Sequence, residues 1–431
     1  MLLTVPAFCE VDIGGEFLTD NRFRTEDKNK FTCNENRLSL KLDSGISRAQ
    51  FHAEIWLREQ GFSEVSSSSD LQEKDKEKIS PSSLEIRELY IDFYRFLSEN
   101  LELRVGKQRI AWGTADKLNP TDNLNPDDLE DIMDFGRHLG SNSMKLTYYF
   151  GDLTLTGVYI PVFIPAVLPS SDWSSALTPA FSLPAGMSVQ NFSDSIILPE
   201  NNPEESSMYA AKIAGKLFNY DLSVSYFHGR DDLPLVNRIE VTPTGASTVN
   251  AVAEMLYPKM QVIGADLAGA VCNIGVWAEG ARFVNEEVGM ETFTVGVGTQ
   301  TGIALSEEAY FKYVFGFDYT FKNGLYINGQ YLHGFVHERG KDNLEDYFMA
   351  GIEKKFFNDE LKIKIGCGAE VKDFDKVKDN MAVMTMPEVS YYPVDNTEIT
   401  LGAYLINGKD TTAFGKVKDN DEIYLKFKYN F

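Results

Sequence analysis

The sequence lacks the long apolar segment that a transmembrane helix requires, since no run of about 18 apolar residues occurs among its 431 residues. This absence excludes a helical membrane protein. It does not exclude a membrane β-barrel, whose strands are apolar on only one face. Cysteine is also scarce: Cys9, Cys33, Cys272 and Cys367 are the only ones, and none forms a C-x-x-C pair. Their spacing indicates neither a zinc ribbon nor a redox motif nor attached haem.

Basic residues are fewer than acidic ones, and the common catalytic motifs are absent. There are 41 lysines and arginines against 64 acidic residues, a formal net charge of −23, so nucleic acid is excluded as a partner because its phosphates would be repelled. No G-x-S-x-G, P-loop or H-E-x-x-H motif occurs. His333 and His337 would lie about 13 Å apart on one strand, too far to share a metal ion. The sequence therefore predicts no catalytic residue, no metal site and no cofactor.

The clearest pattern that is present is the two-residue alternation of residues 421–431. One face carries Ile423, Leu425, Phe427, Tyr429 and Phe431, and the residues between them form the other face. A transmembrane barrel strand requires this pattern, with apolar side chains toward lipid and the other side chains toward the lumen. The closing strands of such barrels often end in an aromatic residue. Phe431 therefore indicates the barrel-assembly machinery as a partner.

Strand-like segments of this kind recur about eighteen times, and sixteen strands remain compatible with boundaries that are uncertain by roughly two to four residues. Short connections alternate with long ones such as residues 61–83. Soluble sandwiches lack this asymmetry, whereas outer-membrane barrels show it. The pattern predicts an all-β fold: a single antiparallel transmembrane β-barrel, surrounded by outer-membrane lipid, with short periplasmic turns and long extracellular loops. Residues 10–431 would form the barrel, and residues 1–9 would be the remainder of a signal peptide.

Candidate lumen residues lie on one strand and in the loop that follows it. If Leu101, Leu103 and Val105 face lipid, the opposite face directs polar side chains into the lumen, so we expect Arg104, Gln108 and Trp112 to line a channel. Residues 114–141 are expected to fold inward and narrow the channel. Between positions 116 and 134 this loop has seven acids against one lysine. The acids selected as lining residues are Asp116, Asp122, Asp127 and Asp128.

Two stretches also carry a resemblance to a known family. The first reads R-x-G-K-Q-x-x-x-W-G over residues 104–113, followed by Asn119-Pro120 and Asn125-Pro126; the second reads Y-P-K-M-Q-V-I-G over residues 257–264, followed by W-A-E-G over 277–280. They resemble a proteobacterial outer-membrane porin-like family of unknown function, often encoded beside RND-superfamily transporters, and more distantly alginate-export porins. The resemblance implies an outer-membrane barrel and an inner-membrane transporter as a partner. Glu279 and Arg282, from the second stretch, complete the candidate lining set, although Glu279 could instead pair with a neighbouring strand.

Several interpretations stay open at this point. The Arg104 cluster is either an ion-pair network that pins the inward loop or a selectivity site, since rings of lumen charge set pore selectivity. The apolar residues 160–169 either pack at the barrel mouth or line a path for a greasy solute. The leading function is an outer-membrane channel for diffusion of a small solute, with a preference for cations because of the acidic loop. The alternative is a structural or partner-binding barrel in an envelope transport complex.

Overall fold

The computed structural model describes residues 11–25, 29–72, 76–177 and 188–431. The predicted remainder of the signal peptide therefore lies outside the described residues. Eighteen strands form one antiparallel sheet. They are β1 (Val11–Arg24), β2 (Phe31–Ile46), β3 (Ala49–Gln60), β4 (Ser82–Phe93), β5 (Leu101–Gln108), β6 (Ser141–Phe150), β7 (Leu153–Ile160), β9 (Met208–Leu217), β10 (Tyr220–Arg230), β13 (Lys259–Val271), β14 (Ile274–Asn285), β17 (Tyr310–Thr320), β18 (Tyr326–His333), β19 (Asp346–Phe356), β20 (Leu361–Val371), β21 (Met381–Tyr391), β22 (Thr397–Gly408) and β23 (Glu422–Asn430).

The sheet closes on itself because β1 pairs with both β2 and β23. Each of the other barrel strands also pairs with two neighbours, in antiparallel register. The predicted all-β barrel with about eighteen strands is confirmed. Closure satisfies the main-chain hydrogen bonds around the circumference, which is what allows a sheet to cross a membrane.

The connections differ in length between the two ends of the barrel. At one end β6–β7, β9–β10 and β13–β14 are joined by two-residue turns, and in two of these the central residues, Phe218-Asn219 and Cys272-Asn273, have positive φ as in type I′ hairpins. Cys272 is thus an exposed turn residue. The other end carries the long connections, including residues 109–140 and the described part of the stretch between β7 and β9.

The two faces of the barrel wall have opposite chemistry. On β23 the side chains of Ile423, Leu425 and Phe427 are exposed on the outside, whereas Glu422 and Tyr424 are buried inside. The same alternation gives the wall an apolar outer band and a polar interior, as in transmembrane barrels. Among the described residues no helix is long and apolar enough to cross a membrane.

A second sheet of five strands stands at the long-loop end and was not predicted. It consists of β8 (Ser188–Ile197), β11 (Leu235–Pro243), β12 (Thr248–Leu256), β15 (Val288–Thr294) and β16 (Gly298–Leu305). Two of its pairings, β11 with β15 and β12 with β8, are parallel and join different loops. Such pairings depend on the barrel bringing distant loops together, so local sequence patterns do not reveal them.

Residues 109–140, which we call the interior segment, connect β5 to β6. Leu124 and Ile132 of this segment are almost fully buried, in two apolar clusters that also include wall side chains such as Phe283 and Tyr404. Wide barrels leave an aqueous space unless loops occupy it. The interior segment therefore fills part of the lumen and determines the shape of what remains.

Candidate functional site in the barrel lumen

The interior segment is held on one side of the barrel by Glu279 of β14. One carboxylate oxygen of Glu279 accepts hydrogen bonds from the main-chain N–H of Thr121 at 2.7 Å and from its hydroxyl at 2.8 Å. The other oxygen accepts from the N–H of Thr114 at 3.0 Å and from the side-chain amide of Asn119 at 3.1 Å. Because a carboxylate can only accept, it is suited to a site where every neighbour is a donor. Glu279 therefore fixes the start of the segment.

Three arginines hold the segment from strands elsewhere on the wall. Each makes a charge-assisted contact with one acid of the segment. Arg22 of β1 donates to Asp131 at 2.9 Å, Arg58 of β3 to Glu130 at 2.9 Å, and Arg87 of β4 to Asp128 at 2.8 Å. Arg137, within the segment, joins Asp128 and Glu130 at 3.0 and 3.1 Å.

These ion pairs keep the acids charged. Burial opposes ionisation of Asp128, but Arg137 and Arg87 hold its pKa below the ordinary value. Burial likewise opposes ionisation of Glu130, whose pKa is lowered by its hydrogen bonds from Arg58 and Gln60, and of Asp131, whose pKa is lowered by Arg22. Each acid of this part of the segment is therefore matched by a guanidinium, and little of its charge is left to act on a solute.

A second charged cluster lies where the segment leaves β5. Arg109 donates to Asp122, and Asp127 donates its main-chain N–H to Asp232 Oδ2 at 2.6 Å. Burial, together with the neighbouring Asp231, raises the pKa of Asp232 to about 6, and burial beside Asp232 raises the pKa of Asp127 well above its ordinary range. A carboxyl group that is desolvated near other carboxyl groups keeps its proton to a higher pH than an isolated one.

Several predicted lining residues lie elsewhere. Arg104 makes a bidentate ion pair with Asp92 of the adjacent strand, at 2.7 and 2.9 Å, and stacks over Tyr90 instead of meeting the loop acids. Gln108 is fully buried and donates to the main-chain oxygen of Ser143. Trp112 is 5% exposed and belongs to the apolar cluster beneath the segment. Gln108 and Trp112 are buried beneath the segment and do not line the open space, which corrects the prediction for both, and Arg104 does not line the large cavity either.

Arg282 is on the wrong face of its strand for a lining residue. It follows Glu279 by three positions, so the two side chains point to opposite sides of β14. Glu279 is buried inside, whereas Arg282 is exposed on the outer face between Ile263 and Phe311 of the neighbouring strands. The prediction that Arg282 lines the channel is wrong, because residues separated by an odd number of positions on a strand lie on opposite faces.

The open space is a cavity of about 900 Å³ between the interior segment and the wall. Of the predicted acids Asp116 lines it, whereas Asp122 and Asp127 line a smaller cavity near Arg230 and Lys312. One side of the large cavity is charged and carries Arg22, Arg24, Arg37, Arg58, Glu16 and Asp20. The wall formed by β19 to β21 contributes small and apolar residues, namely Met349, Gly351, Gly366, Gly368, Met384 and Met386.

The apolar residues 160–169 divide between the buried cluster and the lining of the large cavity. Ile160 and Phe163 are buried in the cluster beneath the interior segment. Val167 and Leu168 line the large cavity, and Val167 exchanges main-chain hydrogen bonds of 2.9 Å with residues 127 and 129. This stretch therefore pairs with the interior segment through its main chain at Val167.

Sequence reasoning missed Arg22, Arg58 and Arg87, the wall arginines that pair with Asp131, Glu130 and Asp128 of the interior segment. The sequence does contain a signal for Arg87. The apolar residues of β4 fall at positions 84, 86, 89 and 91, so the spacing changes from two to three between 86 and 89. The shift marks a β-bulge, seen in the register with β3, that sends two consecutive side chains, Arg87 and Glu88, into the lumen. No comparable local signal distinguishes Arg22 or Arg58 from other lumen positions.

Comparison with known proteins supports the fold and nothing more specific. No family model matches the chain, and no curated protein matches it. Three similar solved structures come from Pseudomonas aeruginosa. OpdK with vanillate is 10% identical, with 97% of this chain and 98% of that chain covered and a TM-score of 0.53. OccK3 (OpdO) is 11% identical, with coverages of 97% and 96% and a TM-score of 0.51, and OccK11 (OpdR) is 9% identical, with coverages of 98% and 96% and a TM-score of 0.50. The closed barrel, its apolar outer band and its polar lumen define a transmembrane β-barrel with the same fold as these three structures.

Proposed function

We propose that the protein is a passive channel for small solutes, with the interior segment as its constriction. The observation that supports this most strongly is the cavity of about 900 Å³ that remains open beside a segment anchored on several strands. A loop held by ion pairs can keep a passage at a fixed width. Diffusion down a gradient needs no cofactor and no catalytic residue.

The two walls of the cavity favour a solute with a charged group and an apolar body. Guanidinium groups have forked donors that match a carboxylate or phosphate. On this wall Arg37, which pairs with Glu16 at 3.4 Å, is more open to a solute than Arg24, which is buried between Asp172 and Glu422. The methionines of β21, Met384 and Met386, offer a flexible apolar surface. The solved structure of OpdK contains vanillate, which makes that compound a reasonable first test solute for this channel.

The acidic loop supports the predicted cation preference less strongly than its sequence suggests. Most acids of the interior segment are in contact with arginines, and acidic side chains only slightly outnumber basic ones around the large cavity. We therefore propose weak selectivity for cations among small inorganic ions. Organic solutes would be distinguished by their fit between the charged and apolar walls.

We also propose a family for this chain and two protein partners. Membership of the porin-like family of unknown function rests on the stretches 104–126 and 257–280. Recognition of the final strand by the assembly machinery rests on the aromatic residue Phe431, and partnership with an inner-membrane transporter rests on the family resemblance alone. These assignments go beyond the fold.

Planar-bilayer recording tests the channel proposal directly. Purified protein should give discrete conductance steps with a small reversal potential in a salt gradient, and vanillate should reduce the current more than an uncharged aromatic of similar size. Protein that is folded by circular dichroism yet never conducts would overturn the channel proposal. The partner-binding barrel would then be the better account.

A further inference from the structure

Two glutamates and a histidine meet on the lumen face of β3 and β4, outside the cavity and outside the interior segment. His52, Glu54 and Glu88 each place one potential ligand atom so that all three atoms lie within 4.8 Å of one another. Among the described residues, no other group of three or more His, Cys, Asp or Glu side chains is arranged closely enough to hold a metal ion. Sequence spacing did not reveal it, because the glutamates come from different strands.

The histidine is oriented as a metal ligand. Its Nδ1 lies 2.8 Å from Asp43 Oδ1 on β2, and a carboxylate can only accept, so Nδ1 carries the proton. The lone pair of a neutral ring is then on Nε2, which faces Glu88 Oε2 at 3.6 Å. The ring also stacks on Tyr90, with centroids 4.9 Å apart. A carboxylate behind a histidine that fixes the free nitrogen is the common outer-shell arrangement of metal sites.

The two glutamates face each other, with Lys41 beside Glu54 and with Arg104 and Lys145 near Glu88. Glu54 and Glu88 are directly opposite in the register of β3 and β4, and like charges in that position destabilise a sheet. Each has one oxygen occupied, Glu54 Oε1 by the indole N–H of Trp56 at 2.9 Å and Glu88 Oε1 by the main-chain N–H of Arg109. The nearest ammonium, on Lys41, is 3.6 Å from Glu54 Oε2 and its side chain is 56% exposed. A bound cation would relieve the repulsion more effectively than this loose contact.

The β-bulge explains why Glu88 is available at this position. The extra residue in β4 lets Arg87 turn toward Asp128 of the interior segment while Glu88 turns toward His52. Without the bulge one of these consecutive side chains would face lipid. The side chains of His52, Glu54 and Glu88 are 14%, 18% and 20% exposed, so the group is sheltered but open to the lumen.

We propose that His52, Glu54 and Glu88 form a lumen site for a divalent transition-metal ion, represented by Zn²⁺. One imidazole with two carboxylates suits Zn²⁺ and neighbouring first-row metals, whereas Ca²⁺ and Mg²⁺ prefer all-oxygen sites. Three protein ligands leave a coordination position free for water or for an anionic group of a passing solute. The site does not depend on the proposed channel function.

Isothermal titration calorimetry of the full chain in detergent, with Zn²⁺ as the probe, tests this site. The parent should show one binding event that His52→Phe, Glu54→Gln and Glu88→Gln each weaken. Asp43→Asn, which alters only the residue behind the histidine, should weaken binding by roughly 10- to 100-fold. Phenylalanine at position 52 keeps the stacking on Tyr90, and the glutamines keep the side-chain volume, so folding should be preserved and is checked by circular dichroism.

His333 provides a matched control. It has the same local arrangement, with Nδ1 2.9 Å from Asp346 Oδ1 and a stacked Tyr313 at 4.9 Å, but lies on the outer face and belongs to no such group among the described residues. His333→Phe should leave the binding event unchanged. The proposal is overturned if the parent does not bind Zn²⁺, if Ca²⁺ or Mg²⁺ competes equally, or if folded Glu88→Gln binds as tightly as the parent.

Discussion

Phe431 and Gly15 exchange two main-chain hydrogen bonds of 3.0 Å, one in each direction, and so fasten the end of the last strand to the first. The phenyl ring covers the glycine: a Cβ built on Gly15 would approach Phe431 Cζ to 2.6 Å. The final aromatic residue thus sits at the seam of the barrel. Its side chain is still 48% exposed on the outside.

We expect Phe431→Ala to impair insertion in cells more than it lowers stability. The main-chain bonds to Gly15 survive the change, and one half-exposed side chain contributes little to a barrel of this size. If the assembly machinery recognises Phe431 as proposed, it would lose that residue. The measurement compares the folded fraction in the outer membrane with the unfolding temperature in detergent. Phe427→Ala, on the same outer face, is the control and should assemble normally. Equal assembly of Phe431→Ala and parent would remove the assembly role.

We expect Glu279→Gln to loosen the interior segment. Both oxygens of Glu279 accept hydrogen bonds from the segment, so an amide would place its own NH₂ against donors such as Thr121 N–H or Asn119. Leaving buried donors unpaired costs about 1–3 kcal/mol each. Single-channel recordings should show a noisier and larger current. Glu287→Gln, in an exposed loop, should behave as the parent. An unchanged current in Glu279→Gln would show that the segment does not narrow the pore.

Selectivity should respond to the partners of the wall arginines. Glu130→Gln with Asp131→Asn leaves Arg58 and Arg22 without these acids, so the reversal potential should move toward anion preference at low salt. The shift should shrink at about 1 M salt, where the screening length falls to roughly 3 Å. Neutralising Glu64, in the outer loop, is the control. A shift of equal size from Glu64→Gln would place the selectivity outside the interior segment.

The contact between Asp127 and Asp232 should make stability depend on pH. Asp232 has a folded pKa of about 6 against roughly 3.9 when unfolded, so its neutral form favours the folded state. The stabilisation is complete below about pH 4 and is lost as the pH rises through 6. The charged or titratable groups around the pair are Asp122, Asp231, His138, Arg109 and Arg339.

Asp232→Asn should therefore be less sensitive to a change from pH 5 to pH 8 than the parent. The amide stays neutral, and its oxygen can still accept the 2.6 Å bond from Asp127 N–H. The unfolding temperature in detergent, measured across this range, is the test. Asp134→Asn, which changes an exposed acid of the same segment, should follow the parent curve. Identical pH dependence in Asp232→Asn and parent would exclude this pair as the cause.

The sequence by itself determined the barrel. Period-two alternation, short turns at every second connection and the aromatic terminus are local properties, because a strand between lipid and water must alternate along its own length. Glu279 and Arg282 entered the candidate set through the family resemblance, and parity along β14 keeps Glu279 in the lumen. Applied consistently, it would also have placed Arg282 outside.

Only the tertiary structure decided which charges meet. Arg22, Arg58 and Arg87 come from three strands, and their partners come from one loop that crosses the lumen, so no spacing in the sequence connects them. The five-stranded sheet and the group of His52, Glu54 and Glu88 also need strands or loops to be brought side by side. Electrostatic contacts of this kind depend on distances of a few ångströms across the sheet, whereas alternation depends only on neighbours along the chain.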